Sequence, residues 1–353
     1  MKRVLLVLGT LCIIGITMFR FFPTPQHIPF QKWDEQTNIA IVTNPLSIKY
    51  FPMLYKDSQP FFEKPPLWYW VTIVTTKHNT NAHTARTVSA ICGLLTILFT
   101  TYLAWRWWGY IAGLFTWILL MTTNHLFTIN PAGSFSTHTL WSADLESMHI
   151  LFLMISFAFL TQSSKHAAAI AGIAAGLSVL AKSPLGLLPL IVATLTRPNG
   201  DRSNNYTVSW GTMIATVLPW YLWMISQFHL PFLATHFSYH MAARIALPLE
   251  GHVKSIWYYA QIVSERHFFL SWEWLVGSAL YIFLQRLYKD PIVIFTLIMA
   301  GATFIIPTIV STKLAWYVLP FYPFAALLIG FATSRCIHLI FGATRDYTMT
   351  HTH

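Results

Sequence analysis

Charge is what this sequence has least of. Asp, Glu, Lys and Arg make up 10% of its 353 residues, and 55% are hydrophobic. A soluble globular domain carries roughly 25% charged residues, so one helical membrane unit fits this chain better than two soluble domains. Acids are scarcer than bases, 12 against 22, which leaves a formal net charge of +10. Those bases are scattered between apolar runs and form no stripe, which excludes a nucleic-acid-binding surface. Cysteine is equally sparse. Cys12, Cys92 and Cys336 each fall inside an apolar stretch at no metal-like spacing, so no disulfide framework is implied. No glycine-rich loop of the kind that cradles nucleotide phosphates is evident. Lys2 and Arg3 open an apolar run over 4–22, but no small-residue cleavage site follows, only Pro23 and Pro25. The run therefore reads as a retained membrane helix and not as a cleaved signal peptide.

What the sequence does have is apolar runs of membrane-crossing length, for which about 20 residues are needed. Spans are expected near 4–22, 87–105, 109–126, 146–162, 167–181, 184–196, 208–226, 271–285, 291–309 and 315–334. The fold class is thus all-α, a polytopic membrane protein of about ten transmembrane helices. The fifth and sixth spans are short and are separated by Lys182, Ser183 and Pro184, because proline ends or kinks a helix. One long broken helix is the alternative there. With a cytoplasmic N-terminus, the inner connections collect Lys2, Arg3, Arg106, Lys165, Arg197, Arg202, Arg286, Lys289, Arg335 and Arg345. Every inner turn then carries a basic residue, as the positive-inside rule requires. The expected location is a plasma (inner) membrane with both termini cytoplasmic. Residues 1–342 form the membrane domain, and the polar stretch 343–353 forms a short cytoplasmic tail.

The outer side receives two long segments, 23–86 and 227–270, and most of the acids: Asp34, Glu35, Asp57, Glu63, Asp144, Glu146, Glu250 and Glu265. Long outer segments of mixed charge set against short inner turns point to a working site on the periplasmic or extracellular side. Trp33-Asp34-Glu35 pairs two carboxylates that can act as a general base, hold a cation, or lie solvated. In FEKPPLWYW (62–70), Pro65 and Pro66 stiffen the chain after Lys64, and interfacial aromatics follow. Such a lysine holds a lipid phosphate as a point charge or merely snorkels to water. Asp144 precedes a span, where it either caps the helix or serves a purpose in an apolar surround. His236, His240 and Arg244 recur every four residues and so share one helix face. Two histidines so spaced are structural, or ligate a metal together with a carboxylate such as Glu63. A guanidinium at Arg244 suits phosphate. In STKLAWYVLPFYP (311–323), Lys313 at the entrance to the last span is either a plain interface anchor or an anion contact, and Tyr317, a turn deeper, can bond the same anion.

Taken in order, these segments resemble the GT-C-type integral membrane glycosyltransferases of the protein mannosyltransferase and lipid A aminoarabinose transferase superfamily. The resemblance is carried by Asp34-Glu35, FEKPPLWYW, Arg86 at the head of the second span, Asp144, GLSVLAKSPLGLLP (176–189), the HLPF…H…H…R stretch and KLAWYVLPFYP. It covers about residues 30–330. It departs at Ser183, where the family carries glycine, and near Gly342, beyond which larger relatives continue.

The resemblance implies an inverting transfer of a sugar from a polyprenyl-phosphate donor to a membrane lipid, glycan or protein acceptor. It implies Asp34 as catalytic base, with Glu35 beside it and Asp144 as a second functional acid. Lys64, Arg244, Tyr317, Lys313 and Arg86 are expected around the carrier phosphate. No cofactor is required, and a divalent metal at Glu63 and His240 is compatible with it. The competing expectation is a non-catalytic protein that binds or transports a polyprenyl phosphate. A transporter, however, calls for paired broken helices in an internal repeat, and no convincing repeat is found.

Overall fold

Backbone in a bilayer core has no water to bond, so each crossing segment satisfies its own N–H and C=O groups as a helix. The structure, a computed structural model, describes residues 2–22, 34–76, 82–127, 138–198, 203–265 and 271–340. Trp33, the stretch 343–353 and parts of both long outer segments lie outside them.

Among the described residues, ten apolar helices follow the expected order. They are α1 (Lys2–Phe21), α5 (Ala82–Trp108), α6 (Tyr110–Thr122), α8 (Glu146–Leu160), α9 (Lys165–Ala181), α10 (Leu188–Thr196), α11 (Ser203–Phe232), α14 (Ser271–Leu284), α15 (Pro291–Ile309) and α16 (Phe321–Ile340). Between α1 and α5 lie α2 (Asp34–Val42), α3 (Pro45–Lys49) and α4 (Leu67–Thr75), and α7 (Asn124–Phe127) follows α6. After α11 come a π-helix (Leu233–Ala243), the short turn α12 (Arg244–Ala246) and α13 (Tyr258–Glu265). The break expected at Pro184 is present. α9 stops at Ala181, and a 3-10 turn over Pro184–Leu187 leads into α10, so the two segments are separate helices.

Local chemistry sets the helix ends. The Ser164 side chain accepts from the Ala167 amide at the start of α9, and Asp290 accepts from the Ile292 amide just before Pro291 opens α15. Both are side-chain caps on otherwise unsatisfied donors. Small residues let the helices approach closely, as membrane helices require. A Cβ on Gly172 of α9 would lie 2.1 Å from the Ser209 carbonyl of α11, and one on Gly330 of α16 would lie 2.3 Å from Thr116 Oγ1 of α6. α16 is the hub of the bundle, with Tyr322, Phe324, Ala325, Ala326 and Leu327 fully buried.

The same end of the bundle carries the start of α2, the start of α8, the end of α9, the continuation of α11 and the start of α16. A two-stranded hairpin, Tyr55–Lys56 against Gln59–Pro60, turns through Asp57 at φ 55° and delivers Phe61 to Lys64 to that end.

Candidate active site

The site is assembled from segments far apart in sequence. Asp34, first residue of α2, receives Lys64 Nζ on Oδ1 at 2.8 Å and meets His138 Nε2 with Oδ2 at 3.0 Å. The His138 ring stacks on Trp316, 3.7 Å between centroids and 14° from parallel. Its other nitrogen, Nδ1, faces Glu146 Oε2 at 2.9 Å and is in closer contact with Asp144. Glu146 also pairs with Lys182, whose ammonium stands 5.5 Å over the Tyr317 ring. Tyr317 in turn lies within electrostatic reach of Arg244, and Arg244 pairs with Glu250 at 3.0 Å. One continuous polar track thus runs from Asp34 to Arg244 across an apolar bundle.

Asp34 and Lys64 are each about 30% exposed, whereas Asp144 and Glu146 are almost wholly buried. Burial alone would raise the Asp34 carboxyl, but the Lys64 ammonium and His138 outweigh it and hold Asp34 well below the usual carboxylate range. Burial likewise works against the charge on Lys64, and the Asp34 carboxylate overrides it, so Lys64 is raised above its ordinary value. His138 is raised despite burial, by Asp144 and Glu146. Burial and the neighbouring Glu146 push Asp144 up to about 7, although His138 opposes the shift.

Asp144 is held by a scaffold. The Asn38 amide donates to the Ala143 carbonyl and to Asp144 Oδ1 at 3.1 and 3.4 Å, and Tyr69 Oη donates to Asn38 Oδ1 at 2.7 Å. Ser89 Oγ donates to the Asp144 carbonyl and receives the Trp68 indole N–H, both at 2.9 Å.

Five of the expected site residues are engaged elsewhere. Glu35 and Arg86 are at the base of this scaffold, apart from the Asp34–Lys64 pair. Both are fully buried, and the Arg86 Nε and Nη2 groups donate to Glu35 Oε1 and Oε2 at 2.6 and 2.7 Å. Glu35 Oε1 also accepts the Ala143 amide at 2.9 Å. A guanidinium engaged in this way is held inside the bundle together with its carboxylate partner. Lys313 is also turned away, its Nζ donating to the Val310 carbonyl at 2.7 Å. Glu63 and His240, expected at a metal, do not meet in a ligand group. Glu63 lies 3.8 Å from Lys56, and His240 packs its ring on Tyr239.

The residues missed in the sequence are His138, Glu146, Lys182 and Trp316. Among the described residues, His138, Asp144 and Glu146 form the one group of three that offers metal-capable atoms, all within 4.8 Å of one another. The Asp144–Glu146 spacing at the head of an apolar run is a visible signal for two of them. Nothing around His138 marks it.

The fold and site define a polytopic membrane protein with the GT-C architecture. The chain belongs to the dolichyl-phosphate-mannose-protein mannosyltransferase family, whose sequence model matches residues 47–236. No curated protein sequence matches it. Among solved structures, it is similar to ArnT from Cupriavidus metallidurans bound to undecaprenyl phosphate, at 20% identity and TM-score 0.71 over 95% of this chain and 63% of that one. It is also similar to the oligosaccharyltransferase AglB from Archaeoglobus fulgidus in complex with an inhibitory peptide and a dolichol-phosphate. There the identity is 14% and the TM-score 0.60, over 95% of this chain and 51% of that one. A third similar structure is the Archaeoglobus fulgidus oligosaccharyltransferase with Zn and sulfate, at 13% identity and TM-score 0.60, over 96% and 51%. The chain therefore spans less than two thirds of the length of each.

Proposed function

We propose that this protein is an inverting glycosyltransferase that moves a sugar from a polyprenyl-phosphate carrier to an acceptor at the outer face of the membrane. The observation that carries the reading is the pairing of Lys64 with Asp34 at 2.8 Å. It sets a cation for the carrier phosphate directly beside a carboxylate that is held ionised and so has no proton of its own. In this reading Arg244 and Tyr317 complete the phosphate site, with the Lys182 ammonium over the Tyr317 ring. As the acceptor attacks the anomeric carbon, Asp34 takes its proton and the carrier phosphate departs with the bond's electron pair. Fixed cations stabilise the charge that develops on the leaving oxygen. His138, bonded to Asp34 Oδ2 and stacked on Trp316, keeps the carboxylate aimed. The carrier tail lies among apolar helices, so the sugar is presented at the membrane boundary. That boundary is the outer one by the distribution of Lys and Arg, and residues 1–342 act as one membrane unit. The relatives' undecaprenyl and dolichol phosphates support a donor of this class.

Purified protein is expected to release sugar from a radiolabelled polyprenyl phosphosugar when offered a mixed lipid, glycan and peptide acceptor pool. Lys64→Ala and Arg244→Ala each remove a charge-assisted contact of about 1.5–3 kcal/mol, so the donor KM should rise about tenfold or more. Donor binding by the wild type without any turnover would replace this reading with carrier binding or transport.

The residues present fit a divalent ion. His138 Nδ1, Asp144 Oδ2 and Glu146 Oε2 are buried and crowd against one another, meeting no other donor or acceptor, and an imidazole with two carboxylates suits Mn²⁺ or Zn²⁺. An ion held there would supply positive charge close to the departing phosphate. Titration calorimetry with Mn²⁺ is expected to give one site in the wild type. Asp144→Asn combined with Glu146→Gln should weaken it by at least about tenfold. Unchanged binding in the double variant would remove this group as the seat.

A further inference from the structure

Arg244 and Lys64 come from different outer segments, and one buried histidine ties those segments together. His236 is 3% exposed. Its Nδ1 lies 2.9 Å from the Phe62 carbonyl, two residues before Lys64, and its Nε2 lies 3.2 Å from Tyr221 Oη on α11. A carbonyl only accepts, so Nδ1 carries the proton and Nε2 accepts from the tyrosine. Both ring nitrogens are thereby satisfied in the neutral form. The ring is stacked on Phe232 at 5.2 Å and 16°, and Phe62 itself packs on Phe228 at 4.9 Å.

The backbone around His236 is unusual. The α11 helix is broken at His229, which holds φ 44°, ψ −124°, a region that costs energy for a side-chain-bearing residue. The chain then runs as a π-helix from Leu233 to Ala243, directly into Arg244. π-helical turns are rare and gather at functional sites, and eleven residues of one need support from outside. The His236–Phe62 bond is such a support, and it is a direct link between the segment that delivers Arg244 and the one that delivers Lys64.

We infer that His236 is a positioning residue that sets the separation of the Lys64 and Arg244 cations and so governs affinity for the carrier phosphate. The inference rests on the polyprenyl-phosphate reading above and names a determinant of the same site. His236 touches neither the carrier nor the sugar. Its effect passes through the Phe62 carbonyl to Lys64, and through the π-helix to Arg244.

His236→Phe keeps the stack on Phe232 and removes both hydrogen bonds. His236→Asn keeps an amide N–H close to where Nδ1–H stands. In detergent, undecaprenyl phosphate binding and donor kinetics are measured for wild type and both variants, with thermal unfolding as a fold check. The expected result is a roughly tenfold rise in Kd and in donor KM for His236→Phe. Its kcat should stay within about twofold, and His236→Asn should recover most of the affinity. A His236→Phe protein that is folded and binds as tightly as wild type overturns the inference. So does an equal fall in kcat with KM unchanged. If His236→Phe is not recovered folded, His236→Asn decides: affinity within about threefold of wild type supports the clasp, and a tenfold loss overturns it. A wild type that does not bind undecaprenyl phosphate rejects the parent reading itself, whatever the variants do.

Discussion

Asp34→Asn is expected to lower sugar transfer by roughly 10²–10⁴-fold, the range for loss of a general base, while leaving carrier binding close to wild type. Asparagine is nearly isosteric with aspartate and still offers an oxygen to Lys64 or to His138, which lie 2.8 and 3.0 Å from the two carboxylate oxygens. The fold should therefore survive. What asparagine lacks is the capacity to take a proton from an attacking hydroxyl or amine. The measurement is single-turnover release of labelled sugar from a polyprenyl phosphosugar, run beside a carrier-binding assay on the same preparation. Release at the normal rate by a correctly inserted variant would sink the assignment of Asp34 as the base. Loss of release together with loss of binding would move Asp34 from proton transfer to building the phosphate site, since it also holds Lys64.

Arg86→Leu is expected to be the most damaging single change to stability, by about 3–5 kcal/mol, because it strips a buried carboxylate of its ionic partner. Arg86 and Glu35 are both fully buried, and the two donated bonds at 2.6 and 2.7 Å face both Glu35 oxygens. Taking the guanidinium away leaves the Glu35 carboxylate buried without that counter-charge. Removing both partners, as in Glu35→Leu with Arg86→Leu, should cost less than Arg86→Leu alone, since apolar replacement of a whole buried pair is often tolerated. Thermal unfolding in detergent, read for both single variants and the double, gives the comparison. The double variant should still transfer poorly. Glu35 Oε1 accepts the Ala143 amide, so its loss lets the Ala143–Asp144 segment shift against Asn38. A double variant no more stable than Arg86→Leu would show that the pair is not the source of the effect.

The contrast between Asp34 and Glu35 shows where sequence reading stops. The two are adjacent, with the same chemistry, and both appeared as site acids. Helix geometry sends consecutive side chains about 100° apart, so Asp34 faces Lys64 while Glu35 turns into the bundle toward Arg86. Arg86, by the family resemblance, and Lys313, at the entrance to the last span, are expected near a phosphate. Their partners, Glu35 and the Val310 carbonyl, appear only once the chain is folded. His138 shows the reverse case. Lying between His125 and His149 in a chain of 15 histidines, it has no spacing that marks it out, yet it is the residue on which three acids converge.

The helical membrane architecture, the order of ten apolar helices and the break at Pro184 were decided by the sequence alone. Lipid imposes that result locally: each apolar run of sufficient length has to satisfy its backbone within itself, and proline interrupts that pattern wherever it falls. Which polar groups face one another was decided only by the tertiary structure. Asp34, Lys64, His138, Glu146, Lys182 and Tyr317 lie up to 283 positions apart in the chain, and their contacts depend on how α2, α8, α9 and α16 end at one level of the bundle. The physical reason is that helix formation is a property of a segment, whereas a charge pair depends on the distance between two segments, which only packing sets.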